Sequence, residues 1–426
     1  MSRLTRTVAA AAATLLAAAS SGACGDGDDH AAQGELDGSV RHADASNDGG
    51  GHPATDNSEP EAGPLWHLND ALRGGDLGEP AQSNLFYSPL SIGTALGMVY
   101  AGAAGDTELE LHTLLAPGRT FDEFHADLGQ LFSTLVSMEP GGNTLQIANA
   151  IFPRPGFELE PAYQQTLADR YRAAIMVTDF ASPEAASMIN KWTSEQTGGH
   201  IPKLFEEGQL DATTVCALVN AIYFKATWKT SFDTANTGNQ SFTLESGEKV
   251  TVSMMHGEGM PARMGEIGRA QVLELPYQGD DLRFVAILPG YGQTVADLES
   301  DLATEDVSTA LKATRNVHAK VAMPRFTMRS RLDLIPPLRK LGVTTLFEPG
   351  ANLTRMSAST DMFIDVVVHE AWVAVDENGT EAAAATGAAG QEFSDPSITL
   401  NSPFLFLIRD AKSGAILFEG RVMDPR

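Results

Sequence analysis

Ile92, Leu96 and Val99 share one face of a 3.6-residue period that starts at Ser88-Pro89, a capping Ser followed by Pro at the first helical position. The same periodicity predicts helices over 107–115, 121–138, 161–171, 183–197 and 332–341. Apolar runs of strand length predict strands over 144–151, 215–224, 284–288, 317–326 and 363–375. The C-terminal FLFLIRDAKSGAILFEGRV is two apolar runs around a turn at 410–414, a hairpin. Helices early and long strands late predict an α+β domain with one large sheet.

Two N-terminal stretches fall outside this pattern. MSRLTRTVAAAAATLLAAASSGAC runs from a basic start through an apolar stretch at 8–19 into small residues, a bacterial export signal over 1–23 that is too short to span a bilayer. Cys24 follows Ser-Gly-Ala, which resembles a lipoprotein cleavage box with Ser21 in place of the usual Leu. Lipidation at Cys24 and plain secretion therefore both stand open. From 24 to 63 the chain carries ten acidic residues against Arg41 alone and too few apolar side chains to fold, and it reads as a disordered acidic tether. The folded part is expected over 64–426. Location is expected outside the cell or in its envelope, with membrane contact only through an anchor at Cys24.

With 43% hydrophobic and 20% charged residues, the 426-residue chain has material for a large core. Its net charge of −26 argues against nucleic acid and heparin-like polyanions as partners. Cys216, in TTVCALVNAIYF, has no partner in the folded part and reads as a small buried apolar residue. Catalytic signatures are missing: there is no Gly-x-Ser-x-Gly elbow, His-Glu-x-x-His pair, phosphate-binding loop or Cys cluster. The ten His are scattered, and Asp280-Asp281 in YQGDDL reads as a polar turn. No metal, cofactor or enzymatic activity is expected.

One stretch is harder to place. DENGTEAAAATGAAGQEFSD, residues 376–395, holds nine Ala or Gly between Gly379 and Gly390 and no bulky apolar residue before Phe393. Alone, such a segment reads as a flexible linker.

Its surroundings change that reading. In order along the chain, NLFYSPLSIGTALGMVYAGAAGDTELEL, INKWTSEQTGGHIPKLF, LVNAIYFKATWKTSF, VTVSMM, LELPY, LRKLGVTTLFEPGANLTRMS, VVHEAWVAVDENGTEAAAAT and SPFLFLIRDAKSGAILFEGRV resemble the serpin family at family spacing, over about 64–426. The family's first helix is shortened to LWHLNDALRGG. The resemblance implies the serpin fold, with a large central mixed sheet and an exposed insertable reactive-centre loop, here about 377–397. It implies a monomeric suicide inhibitor of serine proteases, forming a covalent complex with its target; a non-inhibitory serpin-fold binding protein is the alternative.

In serpins a protease cleaves this loop, and its N-terminal half enters the main sheet as a new strand. Alternate side chains of a strand face opposite ways, so Thr380, Ala382, Ala384, Thr386, Ala388 and Gly390 form one set, all small. Glu381, Ala383, Ala385, Gly387, Ala389 and Gln391 form the other, where the polar members can face water. By family counting from the hinge at Gly379, the scissile bond is Phe393-Ser394. The segment to the SPF block is one residue short, so Glu392 stays open as the alternative. The resemblance further assigns Ser88, Ser91, Asn220 and His369 to the shutter, a polar cluster beneath the parting strands. Trp228 falls at the breach, where the loop first enters. Glu377 is paired with Arg325, where the family commonly has Lys, as an exposed ion pair.

Overall fold

The structure, a computed structural model, describes residues 65–136, 143–302, 307–359, 362–364, 366–380 and 395–426. Its helices are α1 Trp66–Gly74, α2 Pro89–Gly102, α3 Gly105–Leu115, α4 Phe121–Val136, α5 Pro161–Tyr171 and α6 Ala185–Gln196. Three shorter ones follow, α7 Val295–Leu302, α8 Val307–Lys312 and α9 Ile335–Lys340. The strands of the first half are β1 Leu85–Tyr87, β2 Thr144–Pro153, β3 Ala174–Ile175, β4 Cys216–Thr227 and β5 Gly238–Thr243. Then come β6 Lys249–Ile267, β7 Ala270–Pro276, β8 Leu282–Leu288, β9 Arg315–Pro324 and β10 Phe326–Asp333. The last five are β11 Val368–Asp376, β12 Gly379–Thr380, β13 Ser397–Thr399, β14 Phe404–Asp410 and β15 Ile416–Val422.

These strands make two sheets rather than one. A six-stranded mixed sheet runs β10-β11-β12-β4-β2-β3, and a nine-stranded sheet runs β1-β15-β14-β8-β7-β6-β9-β13 with β5 against β6. The division into two sheets escaped the pattern although β8, β9, β14 and β15 were predicted: β6 mixes buried, half-buried and exposed positions and is interrupted by Gly257, Gly259 and Gly265, so it shows no continuous apolar run. The predicted strand at 317–326 divides at Pro324 into β9 and β10, one in each sheet. The segment predicted as helix from 332 begins as strand: Phe326, Met328 and Leu332 alternate inward, and β10 pairs with β11 through all eight residues before Pro336 and Pro337 open α9. The predicted strand at 363–375 starts only at Val368. Helices α7 and α8, which the pattern did not predict, are short; Val295, Leu298 and Leu302 bury one face of the first.

Helix α2 lies behind both sheets, against β4 and β15. It is apolar around nearly its whole circumference because it is buried on nearly every side. Ser88 caps it as the sequence predicts, its Oγ accepting from the Ser91 N–H at 3.0 Å. The short α1 is pinned to the second sheet by Arg73, whose guanidinium makes a bidentate pair with buried Glu419 at 2.6 and 2.9 Å.

Candidate functional site

The hinge is a two-residue strand. Gly379 and Thr380 pair antiparallel with Asp376 and Val375 of β11 on one side and with Thr227 and Ala226 of β4 on the other. Among the described residues, β4 and β11 share no ladder of their own, and β12 alone joins them. The Asp376 carboxylate accepts from the N–H of Asn378 at 2.8 Å and of Gly379 at 3.2 Å, closing the turn from β11 into β12.

Gly379 adopts φ +154°, and a Cβ there would lie 2.0 Å from the Ala226 carbonyl oxygen, so only glycine fits this close passage. Thr380 turns into the core, 1% exposed, with its Oγ1 2.7 Å from the Tyr277 hydroxyl. Tyr277 is stacked on Trp228 with centroids 4.6 Å apart. Trp228 holds the turn itself: its Nε1 donates to the Asp376 carbonyl at 2.9 Å and its backbone N–H to that of Asn378 at 2.8 Å. Phe232 N–H donates to the carbonyl between them, Glu377, at 2.8 Å.

Glu377 departs from the sequence expectation in one respect. The pair was expected to be exposed, yet the Glu377 carboxylate is buried and only Arg325 is half in water. Arg325 Nε lies 3.5 Å from Glu377, and Thr237 Oγ1 donates to the same carboxylate at 2.7 Å. Thr237 was not legible as a partner, since nothing local marks it.

Further along β4 and β11 lies a chain of polar groups, buried at Ser88, Ser91, Asn149 and His369 and half-buried at Asn220. Ser88 Oγ donates to the Leu417 carbonyl at 2.6 Å, and the Ser88 N–H donates to His369 Nε2 at 3.0 Å. Ser91 Oγ bonds Asn220 Oδ1, Asn220 Nδ2 donates to Asn149 Oδ1 at 2.5 Å, and Asn149 Nδ2 donates to the Tyr171 carbonyl at 2.7 Å. Asn149 was missed by the sequence reading. Its signal was the repeated Asn-Ala-Ile of IANAIF and LVNAIYF, which the antiparallel β2–β4 register sets side by side. A cavity of about 50 Å³ lies against Ser91, Asn220 and His369, bounded by Cys216 and Val366 to Val368. Burial pushes the Cys216 thiol up to about 12.

His369 accepts at Nε2 and is therefore neutral, and burial pushes its pKa down to about 4. An unfolded chain protonates this imidazole below its ordinary value of about 6.5, while the folded one does not, so folding loses stability as pH falls from about 6.5 to about 4. His125, lowered to about 4 chiefly by burial, acts in the same direction. The thermal midpoint should fall between pH 7 and pH 5, and His369→Gln should flatten that slope; an unchanged slope would place the linkage elsewhere.

Of the sequence-assigned residues, Ser88, Ser91, Asn220 and His369 meet in one polar cluster, while Trp228, Arg325, Glu377, Gly379 and Thr380 meet around the hinge. Glu381, Ala382, Ala383, Ala384, Ala385, Thr386, Glu392, Phe393, Ser394 and Cys24 lie outside the described residues. Among the described residues no group of His, Cys, Asp or Glu is arranged to hold a metal ion.

The fold is a two-sheet α+β body in which, among the described residues, β4 and β11 are joined through the two-residue strand β12. The chain belongs to the serpin family: residues 76–425 match the family model described as serpin (serine protease inhibitor). It is 36% identical to neuroserpin of Rattus norvegicus over 80% of this chain and 86% of that one. It is 37% identical to leukocyte elastase inhibitor of Bos taurus, over 80% of this chain and 93% of that one. Among solved structures it is similar to the thermophilic serpin tengpin in the native state, with TM-score 0.76 and 27% identity over 86% of this chain and 96% of that one.

Proposed function

We propose that the protein is a suicide-substrate inhibitor of chymotrypsin-like or subtilisin-like serine proteases that traps the acyl-enzyme by inserting its cleaved loop between β4 and β11. The observation that carries this reading is the hinge: Gly379 and Thr380 already occupy the strand position between β4 and β11. The residues that would follow are small on the core-facing side, from Ala382 to Gly390. The chemistry is the protease's: its serine attacks the scissile carbonyl, and the serpin supplies the bait and the strain. Names among the relatives, such as leukocyte elastase inhibitor, support the same class. The reading extends to an exported protein held at or released from the cell surface by the 24–63 tether, with Cys24 as the anchor point.

Mixing the protein with a panel of serine proteases should give an adduct stable on a denaturing gel. Rapid loop cleavage without an adduct would instead mark a non-inhibitory binding protein. Phe393 before the scissile bond suits a deep apolar primary pocket, and no Lys or Arg occurs between Trp372 and Ile408 to satisfy a trypsin-like one. Mass spectrometry of the released peptide should show a new N-terminus at Ser394. A peptide beginning at Phe393 would move the bait to Glu392, and adducts formed only with trypsin-like enzymes would overturn the assignment.

A further inference from the structure

One aromatic stack spans the opening between β4 and β11. His200 follows α6 through Gly198 and Gly199, both at positive φ, which reverse the chain toward the sheet. The segment is anchored where Asn190 Oδ1 accepts from the N–H groups of Leu204 and Phe205 at 2.7 and 2.8 Å. Thr197 Oγ1 accepts from the Ile201 N–H at 3.1 Å. The imidazole stacks on Tyr223 of β4 with centroids 5.0 Å apart and planes 10° apart, and on Trp372 of β11 at 4.5 Å and 29°. Each distance matches one interstrand spacing of about 4.8 Å, so the ring fills about the width that a strand between β4 and β11 would occupy.

The β12 register says what would meet this ring. Thr380 stands opposite Ala226 and Val375; three residues further, position 383 would stand opposite Tyr223 and Trp372. Thr380 faces the core, so position 383 faces the other way, onto the surface where Tyr223, Trp372 and His200 are stacked. A strand advancing from the hinge reaches this level before it reaches the polar cluster, since Asn220 and His369 would stand opposite position 386 in the same register.

We propose that His200 is a stop on the insertion path, a positioning residue that ties β4 to β11 through Tyr223 and Trp372 and holds the uncleaved loop at the shallow depth of Gly379-Thr380. This rests on the insertion reading above and adds to it a named barrier. The ring must leave the stack before a strand can pass, so the contact belongs to the uninserted form alone.

The test compares wild type, His200→Ala and His200→Phe, each intact and after cleavage in the loop. His200→Ala should lower the thermal midpoint of the intact protein, leave that of the cleaved protein unchanged, and lose inhibition without protease, at elevated temperature, about tenfold faster through uncleaved loop insertion. His200→Phe, which keeps a stacking ring, should behave as wild type. Equal loss of stability in both forms, or conversion of His200→Ala at the wild-type rate, would overturn the stop while leaving insertion intact. Identical melting of intact and cleaved wild type would overturn insertion itself, and the stop with it.

Discussion

Thr380→Arg will leave a protein that proteases cleave but that no longer holds them. The position is fully buried, with its Oγ1 on the Tyr277 hydroxyl and Ala226 and Val375 to either side, so an arginine head group has no counter-charge and no route to water. An unpaired guanidinium in such a site costs about 3–5 kcal/mol, and it falls on the residue that already sits between β4 and β11 and from which the rest of the loop would follow. Deacylation then outruns insertion. Covalent complex should drop at least about tenfold, one factor of ten for each ~1.4 kcal/mol, with cleaved protein accumulating in its place. Thr380→Ser, which keeps the hydroxyl, should retain complex formation. An unchanged yield with arginine would mean that the loop does not enter past Thr380.

The second large effect is thermal. In the register set by β12, an advancing strand faces β4 down to Cys216 at position 390 and β11 down to Val368 at position 387. About seventeen new ladder positions at roughly 1 kcal/mol net each give on the order of 15 kcal/mol. With an unfolding entropy of about 2.1 cal/mol/K per residue, that raises the melting midpoint of a domain this size by about 20 °C. Calorimetry before and after a single nick in the loop measures this directly. Coincident melting would reduce the protein to a binder that uses the fold without its switch.

Much of this was legible in the sequence, for identifiable reasons. Ser88-Pro89 announces α2 because capping and proline chemistry are local, and the hairpin over β14 and β15 is legible because its turn is only a few residues long. The division of one expected sheet into two was not, since β6 is only half apolar and Pro324 is a single-residue signal between β9 and β10. At the hinge, the small residues and Gly379 were visible, but the 2.0 Å approach to Ala226 is a long-range packing fact. Thr237, bonded to Glu377, and Asn149, beside Asn220, lie 140 and 71 residues away from their partners. The His200 stack draws on three distant segments, none of them unusual alone.

The lack of a direct ladder between β4 and β11 has a bearing on behaviour in concentrated solution. Two strand edges that share no ladder among the described residues offer a template to any extended chain with small alternate side chains, whatever molecule it belongs to. The protein's own loop is favoured because it is covalently attached, at an effective concentration in the millimolar range. Neighbouring molecules compete only as their concentration approaches that figure, or when warming loosens the attachment at β12. Which chain fills the gap is then a question of kinetics, and the order in protein concentration of that change reports whether it is the molecule's own loop or a neighbour's.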